Sequence, residues 1–157
     1  MKKILAMLMV TSLYAGGLEI IKEVDEMTDE VSYRASKGLE FIEEGRGFVV
    51  SPWIKNDLTL RGLFVFSDGL GRCMEDDTLI FLLESGEKVK LKSFSSFNCR
   101  GSSFFELDES KIEALSLSPI KKVLFENGRT FDSMKVTAKG EKTTYLMDVI
   151  EKLRGKK

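Results

Sequence analysis

The 157-residue chain contains no histidine, and this absence limits its chemistry more than any motif it carries. Ser-His-Asp and Cys-His catalysis, histidine-bearing zinc sites and imidazole acid/base work are all excluded. Carboxylates remain as candidate acids and bases, since two of them can divide those roles when their surroundings split their pKa values. The clusters are Glu75-Asp76-Asp77 and Asp25-Glu26 with Asp29-Glu30. Adjacent carboxylates on a loop are more simply read as solvated charges. Their spacing matches no EF-hand, so no metal ligand is assigned. Glu109-Ser110-Lys111 has the spacing of a nuclease Glu-x-Lys element, but it stands where a helix begins, and capping explains it. No Gly-x-Ser-x-Gly elbow, dinucleotide fingerprint or P-loop occurs, and no cofactor is expected.

The two cysteines, Cys73 and Cys99, allow one internal pairing. Closing the intervening loop would stabilise the fold by about 3 to 4 kcal/mol. Around Cys99 lies a segment of unusual composition, residues 93 to 105, in which serines alternate with Phe94, Phe97, Phe104 and Phe105. Core packing would absorb some of these rings; those left outside would form an apolar partner surface. Trp53, following Pro52, poses the same alternative between a core anchor and a contact for a carbohydrate or protein.

The amino terminus bears on both questions. Lys2 and Lys3 precede an apolar run of about ten residues, followed by Ala15-Gly16-Gly17, which is the order of a secretory signal. The run is too short to span a bilayer. Residues 1 to 17 are therefore expected to be a signal cleaved before Leu18, with a cut after Ala15 as the alternative, and 18 to 157 to form one domain. Export to the periplasm or medium would favour the disulfide. The 24 basic and 25 acidic side chains give a net charge of −1, and without Lys2 and Lys3 the remainder stands at −3. Nucleic acid, which is bound through clustered Lys and Arg, is not an expected partner. The basic tail from Lys152 to Lys157 reads as a solvated helix end.

The elements that must position these residues are mostly strands. Segments 18–24, 30–35, 48–50 and 58–66 are expected to be extended. Residues 79–83 and 88–92 flank Glu84-Ser85-Gly86-Glu87 as a β-hairpin, with Val89 and Leu91 facing the core. A second hairpin is expected around Asn127-Gly128, taken as a type I′ turn, with a bulge near Asp132-Ser133. Asp108 caps a short helix near 108–116 that must end before Pro119. A C-terminal helix near 143–154 places Leu146, Val149, Ile150 and Leu153 on one stripe. The expected fold is mainly β: an antiparallel sandwich or curled sheet with the terminal helix packed against it.

The run Cys99-Arg100-Gly101-Ser102-Ser103, then Ile112, Leu115, Pro119-Ile120-Lys121-Lys122-Val123 and Asn127-Gly128, resembles small exported bacterial β-rich domains of no assigned activity. The resemblance covers about residues 78 to 153. It implies a short helix leading to a strand, a hairpin and a closing helix, and carries over no functional residue. The leading expectation is a non-enzymatic exported binding or envelope-associated module, with an envelope protein or glycan as partner. The alternatives are a carboxylate-dependent hydrolase of envelope glycans, which would need two carboxyl groups facing each other across a cleft, and a structural or inhibitory exported protein.

Overall fold

A computed structural model describes residues 17–94 and 96–156 of the chain. The expected export signal, apart from Gly17, lies outside the described residues. Strands dominate: β1 (Ile20–Val24), β2 (Val31–Ala35), β3 (Leu39–Glu43), β4 (Arg46–Ile54), β5 (Leu60–Asp68), β6 (Thr78–Leu83), β7 (Lys88–Lys92) and β8 (Ser102–Glu106) precede helix α1 (Glu109–Leu117). Then follow β9 (Ile120–Glu126), β10 (Ser133–Thr137), a 3-10 turn (Gly140–Lys142) and helix α2 (Tyr145–Arg154).

Two antiparallel sheets result, as alternation of apolar and polar residues requires when one face is buried. The larger has the order β1-β2-β4-β5-β8, with β3 beside the first half of β4; the smaller has the order β10-β9-β6-β7. The chain leaves the smaller sheet after β7, adds β8 to the larger, and returns through α1 to β9. An isolated bridge between Ser93 and Phe105 joins the sheets at that crossing. The inner faces meet in one core: Phe48 of β4 lies 5.6 Å, centroid to centroid, from Phe125 of β9, among buried Val50, Leu63, Val65, Leu79, Phe81 and Val123.

Asp108 caps α1 as expected, its Oδ1 accepting from Lys111 N at 2.9 Å. Hydrogen bonds from the Lys111 and Ser110 side chains hold its carboxyl well below the ordinary range. In α2 the predicted stripe is buried, together with Tyr145, whose hydroxyl donates to Lys37 O. Burial pushes this phenol above its ordinary value of 10.0. An Arg154–Glu113 ion pair of 3.1 Å ties the two helices together.

Two turn readings need correction. The β6–β7 hairpin closes as expected, with Leu83 N donating to Glu87 O at 2.9 Å and Gly86 at φ +89°. Asn127-Gly128, however, forms no two-residue turn. Residues 127–132 make a longer loop, closed by Asn127 N to Asp132 O at 2.9 Å, with the left-handed conformation at Phe131. The β9–β10 register runs without a shift from Ser133↔Glu126 to Thr137↔Lys122, so the expected bulge is absent; shifts occur instead at Trp53/Ile54 and Leu82/Leu83. Two consecutive positive-φ residues in a tight turn do occur, at Glu44 and Gly45 between β3 and β4, where the I′ twist suits the strands.

Candidate functional site

The Asn127-Gly128 pair serves a different purpose from turning the chain. Gly128 packs so close to residues 75 and 76 that a Cβ would lie 2.2 Å from Glu75 O, and its N–H donates to Asp77 Oδ1 at 2.9 Å. Asp77 is fully buried; its other oxygen accepts from the Ser103 hydroxyl of β8. Its backbone is held as well, with Asp77 N donating to Ser93 Oγ at 2.9 Å and Ser93 N to Asp77 O at 3.0 Å. Buried Asn127 donates from Nδ2 to Cys73 O at 3.0 Å, and its Oδ1 accepts from Arg129 N and Thr130 N at 2.9 and 3.0 Å. Buried polar groups must be paired in this way or cost stability. The result is a polar clasp that fastens β8 of one sheet to the β6 and β9 ends of the other.

Cys73 and Cys99 stand beside this clasp. Met74 and Asn98 exchange backbone hydrogen bonds of 2.7 and 3.2 Å, which brings the neighbouring cysteines opposite each other with their sulfur atoms 2.05 Å apart, at disulfide distance. The pair anchors the Phe94–Phe97 segment to the chain before β6.

The acidic clusters are occupied locally. Asp25 closes its own turn, accepting from Met27 N and Thr28 N at 2.8 and 3.0 Å, and these bonds lower its pKa. Glu75 pairs with Arg129 at 3.0 Å, and Asp77 belongs to the clasp. A cleft of about 400 Å³ between Gly38 and α2 is lined by Glu40, Glu141 and Asp148 among Lys37, Lys142 and Tyr145; neither sequence-predicted cluster reaches it. No group of three or more Cys, Asp or Glu among the described residues is placed to hold a metal ion.

The aromatic candidates divide by strand parity. In β8, Phe105 points inward and is fully buried, so it is core and takes no part in a partner surface. Phe104 points outward, as side chains alternate. The register sets Phe104 opposite Phe64 of β5, and Gly62 opposite both Glu106 of β8 and Trp53 of β4. With no side chain at Gly62, Phe104 lies down over its backbone; a Cβ there would stand 2.5 Å from Phe104 Cζ. From that position Phe104 reaches Trp53, at 5.1 Å and 86° between ring planes.

A row of rings therefore crosses the outer face: Trp53, then Phe104, then Phe64 at 5.0 Å from it, then Phe66 at 6.3 Å from Phe64. Trp53 remains 39% exposed and Phe66 50%. Phe97, also 50% exposed, borders a hollow shared with Phe64, Phe104 and Arg100, and the Arg129 guanidinium lies 4.8 Å from its ring centre. Phe94 is 76% exposed at the end of the same segment. Sequence reading placed Phe64 and Phe66 in an extended segment and did not single them out; they sit in the apolar run Leu63–Phe66. The signal that could have found them is that run itself: apolar residues at successive positions of one strand must fall on both faces.

Gly62 makes this arrangement testable. Gly62→Val is expected to lift Phe104 off the sheet, to destabilise the fold by about 1 to 3 kcal/mol through overpacking, and to red-shift the emission of Trp53, the single tryptophan. Urea titration followed by fluorescence reads both; unchanged emission would contradict the packing described.

Comparison with protein families, with characterised proteins and with solved structures finds no match for this chain. Membership of a family is therefore not established by similarity, and the site has to be read from its own chemistry. That chemistry is an aromatic face on an antiparallel sheet, left partly exposed by the described residues and stapled at one end by a cysteine pair and a buried polar clasp.

Proposed function

We propose that this protein is an exported, non-enzymatic binding or envelope-associated module that makes its contact through the outer face of the larger sheet. The observation that carries the reading is the row Trp53–Phe104–Phe64–Phe66 on a face that an antiparallel sheet ordinarily gives to water. Contiguous exposed aromatic surface of this kind marks interaction sites, and large rings supply most of the energy where partners meet. Export to the periplasm or the medium is supported by the signal-like order of residues 1 to 17 and by the cysteine pair at disulfide distance. Of the two envelope partners expected, a protein suits these mutually inclined rings better than a glycan. The resemblance to exported bacterial β-rich domains is compatible with that setting.

The test is capture from envelope extract with the immobilised chain, purified after export with its N-terminus determined by mass spectrometry. The wild type is expected to retain a specific envelope component, and Trp53→Ala combined with Phe66→Ser to lose it while keeping its far-UV dichroism. Equal recovery by both chains would overturn the assignment of the contact to this face.

A further inference from the structure

Within β5, Leu63–Phe66 is apolar at four successive positions and so on both sides of the strand, a pattern that belongs to sheets covered on both faces. The inner side of β5 packs in the core through Leu63 and Val65. The outer side carries Phe64 and Phe66, and half of Phe66 is open to water. Phe66 and Phe64 are nearly parallel, at 29°, but the rest of the row is not: Phe104 and Phe64 meet at 50°, and Trp53 and Phe104 at 86°. A sugar chain stacks best on rings lying in one plane. Rings standing at different angles suit an opposing set of side chains that fits between them, as when two sheets pack face to face.

The charges around the row indicate what brings that opposing set. At the Trp53 end, Lys55 lies with its Nζ 5.9 Å from the Trp53 ring, and Glu106 projects from β8 level with Gly62. At the Phe66 end, β5 finishes in Asp68, and Arg100 precedes β8, both bordering one hollow with Arg72. Neither Glu106 nor Arg100 has a side-chain partner among the described residues. The face is thus basic and acidic at one end, just past β4 and on β8 respectively, and acidic and basic at the other, on β5 and before β8.

We propose that a second copy of this chain covers the aromatic face, related by a two-fold axis that lies between the sheets and crosses the row. Such an axis reverses the row while keeping each strand over its own equivalent, so Glu106 of one copy meets Arg100 of the other, twice, and Lys55 approaches Asp68. A surface that is its own complement under rotation is what an isologous dimer requires. The rings of the two copies then interlock as the central contact, and the four charge pairs form the rim that sets orientation. The inference rests on the reading of this face as a contact surface and names its occupant.

Sedimentation velocity on the exported chain over a wide concentration range tests it. The wild type is expected to pass from monomer to dimer. Phe66→Ser, checked for fold by far-UV dichroism and thermal melting, is expected to weaken dimerisation by about 100-fold or more. Glu106→Arg and Arg100→Glu should each weaken it by about tenfold, because every reversal counts twice across the axis, and the double variant should return to near wild-type affinity. Restoration by the double variant is the signature that a merely destabilised fold would not give. A wild type that stays monomeric overturns the proposal, as does a dimer indifferent to Phe66→Ser or a double variant no better than the singles. If the monomeric chain still captures an envelope component through Trp53 and Phe66, the contact reading stands and only the second copy is excluded. If neither self-association nor capture depends on the face, both fall.

Discussion

Asp77→Ala is expected to cost about 2 to 5 kcal/mol, a large fraction of the stability of a domain this size. The carboxylate is fully buried and accepts from Gly128 N and the Ser103 hydroxyl. Truncation takes the acceptor from the buried Ser103 hydroxyl and from the half-buried Gly128 N–H, at about 1 to 3 kcal/mol for a donor left fully buried and less for one near water, and leaves a small cavity. Asp77→Asn separates the acceptor role from the charge. Its amide oxygen can still accept from Gly128 N, and its NH₂ can donate to Ser103 Oγ, so the loss should be clearly smaller. Chemical denaturation of the three chains gives the comparison directly. Equal losses for Ala and Asn would mean that the charge, not the hydrogen-bonded geometry, holds the clasp. Because Ser103 belongs to β8 and Gly128 follows β9, hydrogen exchange in Asp77→Ala should quicken first where the two sheets meet, at β8 and the 127–132 loop.

Breaking the cysteine pair is the second large effect. Replacing Cys73 and Cys99 by serine should lower stability by about 3 to 4 kcal/mol, through the freedom regained by the unfolded chain. The wild type treated with reductant should reproduce the value, whereas the serine variant should be indifferent to reductant. Thiol titration of the unfolded, unreduced protein should find no free thiol; two per chain would remove the staple. The local consequence reaches the contact surface, since Cys99 anchors the segment that carries Phe94 and Phe97. Phe97 should gain mobility on reduction, while Trp53 and Phe66, held on β4 and β5, should keep their places. Capture or self-association should therefore survive reduction better than it survives Phe66→Ser.

The clasp and the staple occupy the same end of the molecule, and there is a topological reason. Strand β8 leaves its neighbours in sequence, β7 and β9, to join the other sheet. That crossing is the place where backbone groups most need side-chain partners, because no ladder continues there. Asn127, Asp77 and Ser93 supply these partners, to Cys73 O, Gly128 N and Asp77 N respectively, Ser103 braces the Asp77 carboxyl, and the cysteine pair closes the segment between β7 and β8.

Much of the architecture follows from local pattern. The α2 stripe Leu146-Val149-Ile150-Leu153, the cap at Asp108 and the Glu84–Glu87 hairpin depend on periodicity and turn chemistry over a few residues, and each appears where that chemistry puts it. The one possible pairing of Cys73 with Cys99 also followed from counting, since the chain has two cysteines. Asn127-Gly128 shows where local reading fails. As a dipeptide it is a strong turn signal, yet its Gly is needed because the Glu75 and Asp76 carbonyls press against it, and its Asn because Cys73 O needs a donor. Both demands come from residues about fifty positions away.

The aromatic face shows the same division. Residue types alone marked Trp53 and the phenylalanines around Cys99 as the chain's candidates for contact. Which of them reach the surface was decided by strand parity and register: Phe105 turned inward, Phe104 outward, and Gly62 placed so that Phe104 could lie across it. Phe64 and Phe66 joined the row only through pairing of β5 with β4 and β8, contacts between strands distant in sequence. Hydrophobic content and turn chemistry are properties of neighbours along the chain and are written there. The face that a side chain finally presents depends on which strands pair, and that was determined by the tertiary structure.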